Sequence, residues 1–173
     1  MKSLLLLCFP LLLLAQSRPP IPEQAKRGKE LFLRSNRGTP CAECHRLDGA
    51  GKAVGPDLTR IAKFVGPQGL VMSIQMTETA YMQTVVWKSR QIPAIVRRQS
   101  ASEVEFWDLS ALPVERKVPL AEVKEIRTSA KWTHPPTSAS YTKTELADLI
   151  AYLRYAASGD TKPVQTSDFQ TQP

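Results

Sequence analysis

The sequence predicts a mainly α domain carrying a small antiparallel β segment, α+β overall, and three observations predict it. Apolar residues recur at helical spacing towards both ends, at Ala25, Gly28, Leu31 and Phe32 and again at Leu146, Leu149, Ile150 and Leu153. Between them the period changes, and from Tyr81 onward short stretches rich in Val, Ile, Trp and Phe are broken by polar turns. Glycine and proline gather from Asp48 to Thr59, which reads as a loop between helices.

The elements follow in order. Met1-Lys2 precedes Leu4 to Leu7 and Leu11 to Leu14, then the small or polar Ala15, Gln16 and Ser17, so residues 1–17 are expected to be a signal peptide. Pro10 interrupts the apolar run, which falls short of the ~20 residues a spanning helix needs, so no membrane span is expected in the mature chain. Residues 18–22, Arg-Pro-Pro-Ile-Pro, read as an extended linker. The first helix is expected to start near Pro22 or Glu23 and to run to about Arg34. Gly28 inside it is unfavourable by roughly 1 kcal/mol against alanine, which points to a close approach of another helix. Two middle helices are expected over Thr59 to Val65 and Gly69 to Ala80.

Strands are expected at Tyr81 to Trp87, Ile92 to Arg98, Val104 to Leu109, Val114 to Leu120 and Glu125 to Thr128, as a small antiparallel barrel or curled sheet. Thr142-Lys143-Thr144-Glu145 is a capping-box pattern that opens the last helix. The domain is expected to span 23–157. Residues 158–173 are polar and are expected to be a disordered tail.

Cys41-Ala42-Glu43-Cys44-His45 carries the chemistry. Two thiols at this spacing with an imidazole beside the second form the attachment signature of a c-type haem. The two sulfurs reach the two vinyl groups of one porphyrin while the adjacent histidine turns under the ring to ligate iron. A zinc half-site would want a second ligand pair, and the chain has only Cys8 and His134 left to offer. A dithiol redox motif would sit at the start of a helix after a buried strand, and nothing before Cys41 resembles one. One covalent haem c with its iron is the expected cofactor.

With those residues in view, the chain resembles a cytochrome c. The resemblance is carried by Gly28 with Phe32, by Cys41 to His45, by Gly55-Pro56-Asp57-Leu58, and by Glu145 to Leu153. The type resembled is a class I cytochrome c-like helical fold in which a β-rich insertion, here 81–128, separates the middle helices from the last. The resemblance implies that the first and last helices cross at Gly28 and that Tyr152 packs on the first. It implies that the Pro56 carbonyl accepts the second ring N–H of His45, fixing the ring plane and raising its basicity. It also implies haem attachment outside the cytoplasm, in agreement with a signal peptide and a periplasmic location.

The sixth iron ligand departs from that pattern. Such proteins carry a methionine followed by proline shortly before the last helix, whereas this chain reads Trp132-Thr133-His134-Pro135-Pro136 and has no methionine after Met82. His134, the one histidine besides His45, precedes proline as that methionine would. It is the expected sixth ligand; Met72, Met76 and Met82 are the fallback, and a solvent-exposed His134 is the other reading. With none of these bound, the iron would be open on one side.

Two function classes follow. The first is an exported electron carrier, not an enzyme, whose ligand set tunes a ferric–ferrous couple and which serves a redox partner such as a periplasmic dehydrogenase or oxidase. The second is a haem protein with an open sixth position that senses a small molecule or acts as a peroxidase. The formal net charge of +7 is scattered, without a basic stripe interleaved with aromatics, so no nucleic-acid partner is expected.

Overall fold

The computed structural model describes residues 18–34, 38–75, 82–129, 132, 134 and 141–171. Four helices, α1 (Glu23–Arg34), α2 (Leu58–Phe64), α3 (Pro67–Gln75) and α4 (Lys143–Ser158), form one apolar core. A five-stranded antiparallel sheet, β1 (Gln83–Trp87), β2 (Arg90–Gln99), β3 (Glu103–Asp108), β4 (Val114–Pro119) and β5 (Val123–Thr128), lies between α3 and α4 in the chain and forms a second. The proposed signal peptide, residues 1–17, and Met76 lie outside the described residues.

α1 and α4 cross where the sequence lets them approach. A β-carbon on Gly28 would come within 1.9 Å of the Asp148 carbonyl oxygen, so only hydrogen fits there. One turn on, the rings of Phe32 and Tyr152 pack with centroids 5.6 Å apart at 57°. Arg27 donates twice to the buried Asp148 carboxylate, at 2.7 and 2.8 Å, so the crossing is apolar at its centre and ion-paired at its edge. The capping box of α4 is formed: Thr142 Oγ1 accepts from the Glu145 N–H, and the Glu145 carboxylate accepts from the Thr142 N–H.

α3 begins two residues before the expected Gly69. Pro67 occupies its first turn, where the missing N–H has no intrahelical partner to lose. Asp57 caps α2 by accepting from the Thr59 N–H.

The sheet order is β4-β3-β2-β1-β5. β4 and β5 therefore sit at opposite edges, yet only a single 3-10 turn, Leu120–Glu122, joins them. Laid flat, those edges would be roughly 19 Å apart, whereas the connection reaches at most about 14 Å. The sheet must curl. Val118 of β4 and Val123 and Ile126 of β5 accordingly meet in one cluster with Val85, Ile92, Val104 and Phe106. Arg116 of β4 places its guanidinium 5.7 Å from the Trp87 ring centroid, across the curl.

β2 starts at Arg90, two residues before the expected Ile92. Lys88 and Ser89 both take positive φ, 46° and 62°, and close a two-residue hairpin that lets Trp87 pair with Arg90.

The expectation of a disordered tail is corrected. Gly159 ends α4 at φ 73°, and the chain then runs back over the helices with Val164 and Phe169 buried in their core. Two glutamines hold its backbone. Gln24 donates to the Val164 carbonyl and accepts from its N–H, at 2.8 and 3.0 Å, and Gln68 pairs with Gln170 in the same manner. Two apolar anchors and two amide pairs offset the ordering entropy that the polar composition alone could not. At the other end, residues 18–22 form neither helix nor strand and are pinned: Arg18 pairs with Asp48, and the Tyr155 hydroxyl donates to the Pro19 carbonyl.

Candidate metal centre

Cys41–Glu43 form one 3-10 turn, closed by the Cys44 and His45 N–H groups donating to the Cys41 carbonyl at 3.1 and 2.8 Å. The glycine-rich loop that follows is laced to this turn through backbone bonds. Lys52 N–H donates to the Ala42 carbonyl, and the Val54 and Gly55 N–H groups both donate to that of Cys44. Gly51, at φ 87°, has the His45 carbonyl where a β-carbon would sit, 2.2 Å away. Gly55 lies against the imidazole itself, since a β-carbon there would stand 2.8 Å from His45 Cε1.

The loop fixes the His45 tautomer. Nδ1 lies 2.7 Å from the Pro56 carbonyl oxygen, which can only accept, so Nδ1 carries the proton. In the neutral ring Nε2 is then a bare lone pair facing the opposite way. Burial pushes the His45 pKa down against the opposing pull of the Pro56 carbonyl, which keeps the ring neutral. Burial pushes the Cys41 thiol up to about 11, and burial together with the Glu43 carboxylate raises that of Cys44. A dithiol oxidoreductase needs the opposite shift, towards thiolate.

Across the cleft stands His134. Its Nε2 is 3.4 Å from His45 Nε2, the ring centroids are 5.7 Å apart at 39°, and Trp132 meets the His134 ring edge-on. The space between the walls of the cleft is small as the side chains stand, about 40 Å³, well below the roughly 300–1,000 Å³ of small-molecule sites. Cys44, His45, Val54 and Gly55 form one wall, and Ile95 of β2 with Leu109, Ala111 and Pro113 of the β3–β4 connection form the other. Met82, also buried, lines the same cleft, whereas Met72 on α3 is half exposed.

The structure thus brings Cys44, His45 and His134 to one cleft, with Cys41 in the same turn and Pro56 bonded behind His45. The donor set fits an iron porphyrin. A metal–imidazole bond is about 2.0 Å, so two imidazoles on opposite sides of one metal hold their nitrogens about 4 Å apart. The observed 3.4 Å is about half an ångström short of that. Among the described residues, no three His, Cys, Asp or Glu side chains converge as a zinc site would require. Gly55 and the sheet wall are the parts that sequence reasoning missed. Ile95 alternates with the core-facing Ile92 and Ala94 of β2, which says that it faces outward but not what covers it.

Comparison with known families agrees with this site. The family described as Cytochrome c matches residues 25–112, a little over half of the chain. The chain belongs to the cytochrome c family. It is accordingly a haem-binding electron-transfer protein. The matched residues of this cytochrome c include most of α1, the Cys41 to His45 motif, α2, α3 and the first three strands, and end before His134 and α4. No curated protein matches the chain. Among the described residues no helix is long and apolar enough to cross a membrane.

Proposed function

We propose that this cytochrome c is an exported one-electron carrier that holds a single haem c through Cys41 and Cys44, with His45 and His134 as the two iron ligands. The observation that carries this reading is the pair of Nε2 atoms facing each other across an otherwise mostly apolar cleft. Haem iron supplies a ferric–ferrous couple, and the surrounding residues hold it. His45 keeps its Nδ1 proton on the Pro56 carbonyl, which sets the ring plane and makes Nε2 a stronger donor. His134 closes the other side, so that small molecules are excluded and electrons pass without a change of ligand. Two imidazoles stabilise ferric iron better than imidazole with thioether, which places the potential below that of a methionine-ligated relative.

Residues 1–17 act as the signal peptide, and 81–128 are an insertion in the cytochrome c fold, one face of which walls the haem. The electrons go to or come from a redox partner protein such as a periplasmic dehydrogenase or oxidase. Met82, buried in the cleft wall, supports one second reading, with its thioether as the sixth ligand.

His134→Ala separates the two. With His134 as ligand, the wild-type ferrous protein resists carbon monoxide and the variant binds it readily. Equal, slow binding in both would remove His134 from the iron and favour Met82. Rapid binding by the wild type would favour the open, small-molecule site.

A further inference from the structure

The two imidazoles of the cleft are oriented by different means. His45 is fixed from behind, by the Pro56 carbonyl oxygen 2.7 Å from Nδ1 and by Gly55 against the ring. An imidazole bound to a metal can still turn about its metal–nitrogen bond. The apolar side chains that share the cleft with His134, among them Met82, Ile95 and Leu109, fill space without selecting an angle.

Trp132 selects one. Besides the two imidazoles it is the one aromatic side chain among the described residues that lines the cleft, and it is half-buried there. Its ring centroid lies 5.8 Å from that of His134 with the planes at 89°, the edge-to-face arrangement that the charge distribution of aromatic rings favours. A ring held in this way does not turn far about a bond from Nε2 without losing the contact. The His134 plane so placed stands at 39° to that of His45.

We propose that Trp132 is the positioning residue of the distal ligand: its indole sets the plane of the His134 ring and keeps Nε2 on the iron. This rests on haem occupying the cleft with His134 as sixth ligand, as proposed above. Each axial imidazole then has its own orienting partner, a backbone carbonyl for His45 and an indole for His134, and the angle between the rings follows from the two. In ferric bis-imidazole haem that angle governs the electron paramagnetic resonance signal, which is rhombic for nearly parallel rings and dominated by one extreme g value for perpendicular ones. The strength of an aromatic pair corresponds to about a two- to tenfold change in how often the ligand leaves the iron.

The test compares the holoprotein with its Trp132→Leu and Trp132→Phe variants, each first weighed to establish that haem is attached. Leucine removes the ring and keeps much of the bulk, whereas phenylalanine keeps a ring. Trp132→Leu is expected to shift the ferric resonance signal and to speed carbon monoxide binding by the ferrous protein about two- to tenfold. Trp132→Phe should bring both back towards the wild type. A tryptophan that only filled space would lower the unfolding temperature and move neither readout, so a haem-loaded Trp132→Leu variant with the wild-type signal and rate would overturn the proposal. Where that variant carries no haem, the diamagnetic ferrous wild type decides: its proton spectrum should show Overhauser cross-peaks between the indole and the His134 ring, and their absence would overturn the proposal equally. A wild-type protein without the bis-imidazole near-infrared band would instead overturn the ligand reading beneath it.

Discussion

Gly28 and Asp148 meet with no room for a methyl group: a β-carbon on Gly28 would stand 1.9 Å from the Asp148 carbonyl oxygen and 2.5 Å from its carbon. Both atoms belong to the backbone of α4, which cannot yield without moving the helix. Gly28→Ala is therefore expected to destabilise the holoprotein by about 2–3 kcal/mol, in the upper range for overpacking. Denaturant unfolding checks this. Unchanged stability would mean that the two helices do not cross at this residue.

The buried Asp108 predicts acid sensitivity in the sheet. Burial pushes its carboxyl up, but the Ser110 N–H and the Arg116 guanidinium outweigh that and hold it below the ordinary carboxylate value. A depressed carboxylate contributes stability above its unfolded pKa, about 3.9, that is lost as pH falls through the lower folded value. Asp108→Asn should cost about 1–2 kcal/mol near neutral pH. The gap between variant and wild type should close below about pH 4. A gap that persists at pH 2 would assign the cost to packing instead.

The tail gives a second stability test. Phe169 is 3 % exposed and packs in the helical core. Phe169→Ala should cost about 3 kcal/mol, and removal of residues 160–173 at least as much. A truncated protein as stable as the full chain would restore the disordered tail.

Gly55 predicts a spectroscopic effect with little change in haem attachment. The β-carbon of Gly55→Ala would press on the His45 ring, 2.8 Å from Cε1 and 3.1 Å from Nδ1, and strain its bond to Pro56. Haem should still be bonded at Cys41 and Cys44, but the ferric electron paramagnetic resonance signal should move. Pro56→Ala, which keeps the accepting carbonyl, should move it much less. Equal spectra in wild type and Gly55→Ala would show that the ring is not held where the loop places it.

Much of the fold was legible because its determinants are local. The capping box at Thr142 and Glu145 and the close approach at Gly28 are written in adjacent or helically spaced residues, and both are formed. What escaped was non-local or conformationally unusual. Lys88 and Ser89 adopt left-handed φ without the Asn-Gly signal that advertises such a hairpin, so β2 was expected to start two residues late. The tail looked too polar to fold, and its partners Gln24 and Gln68 lie far away in sequence. At the site, the Cys41 to His45 motif and the bond from His45 to Pro56 could be expected from the sequence. The sheet wall could not. A period of two tells that a strand has two faces, not which neighbour covers the outer one.

Near-infrared magnetic circular dichroism of the ferric holoprotein tests the central claim most directly, because its charge-transfer band reports the pair of axial ligands. The arrangement of His45 and His134 Nε2 across the cleft predicts the band of bis-imidazole low-spin iron, lost in His134→Ala. A methionine–imidazole band, or a high-spin five-coordinate spectrum in the wild-type protein, would contradict it.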